Sequence, residues 1–150
     1  MNCAKERELF KGGLNFVPIG YVHSTYTDPT PPHIHKIDFS HQDATIELLP
    51  EYAAGLAGFD KCVGKFFHIF YYFHMTTAVH HKMHPRGNTA VPMRGVFATR
   101  CCNRPNHIGV TKVEVLSYTE NTVTVRGLDA IDGSPVLDIK PISRIGNHPK

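Results

Sequence analysis

The chain has 150 residues, of which 41% are hydrophobic and 19% charged, and its formal charge at pH 7 is +3. That length suits one domain able to bury a core, and no apolar run approaches the roughly 18 residues that argue for a membrane span, so a single non-membrane domain over residues 1–150 is expected. The mild positive charge permits a phosphate-rich partner without requiring one.

Residues 1–13 read as a short helix or frayed arm ending at Gly12-Gly13, too charged for a secretory signal. Phe16–Val22 reads as a strand that runs into a proline-rich loop, Ser24–Pro32, a candidate lid. Ala44–Leu49 alternates, with Ala44, Ile46 and Leu48 on one face, and Pro50 ends it; Glu51–Leu56 reads as a helical turn before Gly58. Phe66–Phe73 (FFHIFYYF) is nearly continuous in apolar and aromatic residues, which predicts a central strand buried on both faces. His74–Pro92 reads as a long loop, and loops of that length are usually functional. Arg94–Thr99, Val110–Leu116, Thr122–Leu128 and Val136–Lys140 follow as short strands, with turns at Glu120-Asn121 and Asp132-Gly133. Many short strands with little helical periodicity predict an all-β fold, a small barrel of short strands with long connecting loops. Cys3, Cys62 and the adjacent Cys101 and Cys102 lack C-x-x-C spacing, so reduced thiols and a cytoplasmic home are expected.

Met93–Gly109, MRGVFATRCCNRPNHIG, is the stretch richest in chemistry. Met93, Val96, Phe97 and Ala98 read as a buried strand, with Gly95 marking a close approach. Arg100, Asn103, Arg104 and Asn106 then crowd forked and amide donors into a loop that Pro105 stiffens. Guanidinium forks suit carboxylates, phosphates and planar heteroaromatic rings.

GVFATR followed by NRPNHIG resembles the signature of the TrmO/TsaA-like family, whose pattern is close to G-V-F-A-T-R-x-x-x-R-P-N-P-I-G. A second block, GLDAIDGSPVLDIKP at Gly127–Pro141, is similar to the family's G-L-D-x-x-D-G-T-P-V-x-D-I-K-P, and weaker likenesses lie at Pro18–Tyr26, Ile46–Leu56 and Phe67–His74. The resemblance spans roughly residues 17–142. It implies a β-barrel that binds S-adenosylmethionine and methylates N6 of a modified adenosine at position 37 of tRNA, working as a homodimer with its cofactor pocket near the subunit boundary. Carried over motif by motif, the cofactor contacts fall on His33, His74, Met75, Arg100, Val110, Leu128, Asp129, Ala130 and Ile131. Arg104, Asn106 and Asp129 become the substrate-side candidates, and Lys82, Arg86 and Arg94 candidates for the RNA backbone. Asp132 reads as mainly a turn residue. The chain departs from the family where P-R-Q is replaced by Pro32-His33-Ile34, where Gln after the F-H histidine is Met75, and where proline before I-G is His107.

Eleven histidines raise a second possibility, a metal-dependent barrel enzyme. His33 and His35 share one face of an extended segment, and His80, His81 and His84 cluster later. Solvated loop histidines are the more ordinary explanation, and no metal ligand is assigned. The sequence is also compatible with a cofactor-binding protein without turnover, with a methyltransferase of another substrate, and with a nucleophilic Cys101 or Cys102 activated by Arg100 and Arg104.

Overall fold

A computed structural model describes residues 12–30 and 36–143. The proposed helix over residues 1–13 falls almost wholly outside them, and His33 and His35 fall outside entirely. The described residues form eight strands: β1 (Gly20–His23), β2 (Asp43–Leu48), β3 (Phe66–Tyr72), β4 (Lys82–Met83), β5 (Arg94–Gly95), β6 (Ile108–Tyr118), β7 (Thr122–Arg126) and β8 (Pro135–Pro141). Six of them close into an antiparallel barrel in the order β1-β2-β7-β6-β3-β8, while β4 and β5 pair separately as a small lobe. The all-β barrel expected from the sequence is the fold observed.

Alternation explains the closure. Val22, the Ala44-Ile46-Leu48 face of β2, Phe67, Ile69 and Tyr71 of β3, Val113 and Val115 of β6, Val123 and Val125 of β7 and Val136 of β8 all turn inward and are buried. Each fully buried side chain of this size contributes about 1.5–3 kcal/mol. Gly20 is required where β1 meets β2, because a Cβ there would strike the backbone carbonyl of Glu47. Below β2 a 3-10 helix, Pro50–Leu56, tucks Leu56 into the core. Gly58, at φ 75°, starts a second at Phe59–Cys62 that buries Phe59 and Cys62.

Three strand expectations need correction. β1 begins at Gly20 rather than Phe16, and Phe16 and Val17 are exposed. β3 alternates instead of being buried on both faces: Phe66 is 48% exposed, with the Lys112 ammonium 4.4 Å from its ring centroid. In a barrel only alternate residues reach the interior, and no layer among the described residues covers the outer wall there. Met93–Ala98 is not a buried strand either. Arg94 and Gly95 pair with β4, Val96–Ala98 is a single 3-10 turn, and only Val96 is buried while Phe97 is 81% exposed. The expected loop from His74 to Pro92 is mostly irregular, holding only β4 and a short turn at Pro85–Gly87. Among the described residues no helix is long and apolar enough to cross a membrane.

Candidate functional site

The antiparallel register brings the end of β3, the start of β6 and the β7–β8 connection to one rim of the barrel. Tyr71 pairs with Gly109 and Phe70 with Val110, while Val136, at the start of β8, lies opposite Tyr71. Gly109 is what lets this corner close: a Cβ there would sit 2.7 Å from Tyr71 Cζ and 2.8 Å from Phe73 Cζ. The two rings pack edge to face with centroids 5.4 Å apart.

Asp129 projects from the β7–β8 connection into this corner and is held by two hydroxyls on the same oxygen. Tyr71 donates to Asp129 Oδ1 at 3.0 Å, and Thr111 donates to Oδ1 as well. Burial, reinforced by the Asp129 charge, pushes the Tyr71 phenol well above its ordinary pKa, so it remains a donor throughout the physiological range. On the same rim Arg100 donates from Nη2 to the carbonyl of Val110, and His74 Nδ1 lies 3.3 Å from the hydroxyl of buried Ser134.

The β7–β8 connection is braced from β1. Ser24 N donates to Asp132 Oδ1 at 2.9 Å, Ser24 Oγ donates to the Ala130 carbonyl at 3.1 Å, and Asp132 N donates to the Tyr26 carbonyl at 2.7 Å. Gly133, at φ 77°, completes the turn and donates to the Val22 carbonyl. Asp132 thus does the turn work expected of it. Tyr26 anchors the far side, donating to the Thr30 carbonyl at 2.8 Å and meeting Phe39 edge to face.

The loop after Arg100 is tied down by its own side chains. Arg104 Nη1 donates to the carbonyls of Thr99 and Cys101, Thr76 Oγ1 donates to Asn103 Oδ1 at 2.7 Å, and His80 N donates to the Asn103 carbonyl. One nitrogen of Arg104 therefore shapes the loop, and Asn106 stands exposed at its tip. His107 is buried at φ 50°, with Nδ1 3.0 Å from the Cys102 carbonyl. Proline, which the family pattern has there, is locked near φ −65° and is incompatible with that backbone. Cys102 is not primed as a nucleophile, since burial and then Cys101 push its thiol pKa up. Cys62, Cys101 and Cys102 are free. Among the described residues no three His, Cys, Asp or Glu side chains converge as a metal site.

The structure therefore gathers His74, Arg100, Val110 and Leu128–Ile131 on one rim, with Leu128 and Ala130 buried in the barrel core and Met75 exposed beside His74. Reasoning from sequence missed Tyr71, Thr111 and Ser134. Tyr71 was hidden in an aromatic run that read as core, and Thr111 and Ser134 carried no signal. Residues 21–145 match the family model described as tRNA-methyltransferase O N-terminal domain. The chain belongs to that family. A relative from Archaeoglobus fulgidus named an S-adenosyl-L-methionine-binding protein is 40% identical over 84% of this chain and 87% of its own length. A Mus musculus relative named tRNA (adenine(37)-N6)-methyltransferase is 34% identical over 89% of this chain. The crystal structure of TrmO from Pseudomonas aeruginosa aligns with a TM-score of 0.64 at 28% identity over 87% of this chain. This family member spans only 55% of that crystallised chain and 32% of the mouse protein.

Proposed function

We propose that this chain is an S-adenosylmethionine-dependent methyltransferase that modifies N6 of an adenosine derivative in a tRNA anticodon loop. The observation that carries the reading is the convergence of the two sequence blocks, FATR and GLDAIDG, on one rim around the Tyr71–Thr111–Asp129 cluster. The names of the Archaeoglobus and mouse relatives support the cofactor and the substrate class. The residues present fit the cofactor: Arg100 retains guanidinium donors for a carboxylate, and Phe73 and the exposed Met75 supply apolar surface. When bound, the cofactor supplies an electrophilic methyl group on a sulfonium.

What remains for the protein is alignment and proton management. The exocyclic amine of adenosine is a weak nucleophile, so it must be held in line with the methyl group. As N6 takes the methyl group, the bond from that group to the sulfonium sulfur would break and the amine would lose a proton. Asp129, fixed through one oxygen by Tyr71 and Thr111, offers the other as acceptor. Asn106 and the unspent donors of Arg104 lie on the loop flanking the acceptor base in this reading.

A homodimer is part of the proposal. Leu14, Phe16 and Val17 stand exposed ahead of β1, an apolar segment that a second copy can cover. Free thiols and an RNA substrate are consistent with a cytoplasmic location. Calorimetry with S-adenosylmethionine is expected to show one site per chain, abolished in Arg100→Ala. Nucleoside mass spectrometry of a deletion strain and its complemented control is expected to show loss and return of a methylated adenosine derivative. Cofactor uptake without turnover on any tRNA would instead support a binding protein.

A further inference from the structure

Charge is distributed unevenly along this chain. Residues 61–113 contain none of its 13 Asp and Glu residues but hold eight of its 16 Lys and Arg and six of its 11 His. The middle of that span is the β4–β5 lobe beside the rim. Lys82 and Arg94 lie on its two paired strands, and Arg86, at φ 53°, lies in the turn between them. All three are exposed, and none forms an ion pair among the described residues.

The lobe also displays an aromatic ring. Phe97 is 81% exposed, next to buried Val96 and three residues before Arg100, and Met93 is 53% exposed. The turn that carries Phe97 is pinned at both ends: Val96 N donates to the His81 carbonyl at 2.9 Å, and Thr99 donates to the Val96 carbonyl from N at 3.0 Å and from Oγ1 at 2.8 Å. Phe97 is thus held out to solvent by hydrogen-bonded backbone, on the lobe that carries Lys82, Arg86 and Arg94 and three residues before Arg100 in the loop of the proposed cofactor site.

We propose that the β4–β5 lobe is an RNA-docking surface, with Lys82, Arg86 and Arg94 meeting stem–loop phosphates and Phe97 stacking on an unpaired base next to the adenosine presented to the rim. The inference rests on the tRNA-methylation reading and adds the surface and division of labour. Unpaired bases in RNA loops are recognised by stacking on aromatic side chains, and cations without carboxylate partners are the electrostatic footprint of a phosphate backbone. A two-fold contact of the lobe with its own copy is disfavoured, because an isologous interface sets the same cations against one another.

The test uses full-length protein and a fluorescently labelled anticodon stem–loop RNA, with affinity measured from 50 to 300 mM salt. Two variants separate the roles: the triple substitution Lys82→Gln, Arg86→Gln, Arg94→Gln, and Phe97→Ala, both checked by thermal melting and cofactor calorimetry. The triple variant is expected to flatten the slope of log K against log salt by about 3, one for each phosphate contact removed. Phe97→Ala is expected to weaken binding about 5-fold or more with the slope unchanged, as loss of one stacked base does. Wild-type binding that both variants reproduce overturns the docking surface and leaves the methylation reading standing. No binding by the wild-type protein to any tRNA stem–loop sinks that reading and the inference with it. Dissociation of a dimer by Phe97→Ala, with RNA affinity unchanged, makes the lobe a contact between copies and also overturns the inference.

Discussion

Single atoms decide much at the rim. Tyr71 is buried, and its hydroxyl donates to Asp129 Oδ1 and lies 3.3 Å from Thr111 Oγ1, so Tyr71→Phe keeps the packing and removes both contacts. It is expected to cost about 1 kcal/mol of stability in a denaturant melt and to lower kcat more than KM; equal kcat for variant and parent would remove Asp129 orientation from the mechanism. The same residue has a pH signature. Its pKa is raised on folding above the ordinary 10.0, so the folded chain holds the proton more tightly than the unfolded one. Its stability contribution is full below pH 10.0 and is lost as pH rises beyond that value. Wild-type protein should therefore melt at progressively lower temperature above that pH, and Tyr71→Phe should flatten that limb. His107 gives a second test. His107→Pro restores the family's residue yet places proline at φ 50°, and it is expected to destabilise by more than about 1 kcal/mol in the same melt.

At the scale of elements, the crossing of β3 with β6 and the brace from β1 to the β7–β8 connection keep the site in register. Gly109→Ala pushes a methyl group against Tyr71 and Phe73; overpacking of this kind costs about 1–3 kcal/mol. A melting temperature within error of wild type would show that the rings have room the geometry does not suggest. Ser24 works at the other end of the same device. Ser24→Ala removes the bond from its hydroxyl to the Ala130 carbonyl and keeps the backbone bond to Asp132. Faster hydrogen exchange of the amides of residues 130–134 is the expected outcome, with exchange in β3 unaltered.

For the whole molecule, an antiparallel barrel has no free sheet edge, so the exposed apolar residues need another explanation. Leu14, Phe16 and Val17 lie ahead of β1 and Phe97 on the β4–β5 lobe. The proposed homodimer assigns the first group to a partner copy. Light scattering at micromolar concentration is expected to give twice the chain mass, and Phe16→Ser with Val17→Ser is expected to shift the protein toward monomer. A monomeric parent with cofactor bound would discard the dimer.

The all-β class, the alternation of β2, the turn at Asp132-Gly133 and the two motif blocks were legible in the amino-acid sequence alone, because alternation, turn chemistry and motif spacing are local properties. The same local reading went wrong where neighbours decide. FFHIFYYF was expected to be buried on both faces, and a barrel with no outer layer among the described residues leaves Phe66 exposed; VFA was expected to be a buried strand, and its pairing with β4 stops after Gly95. Only the tertiary structure could single out Tyr71, Thr111 and Asp129 as one cluster. Its members come from three separate segments of the chain, and the contact exists because antiparallel register sets Tyr71 against Gly109, beside Thr111, while the β7–β8 connection folds over them.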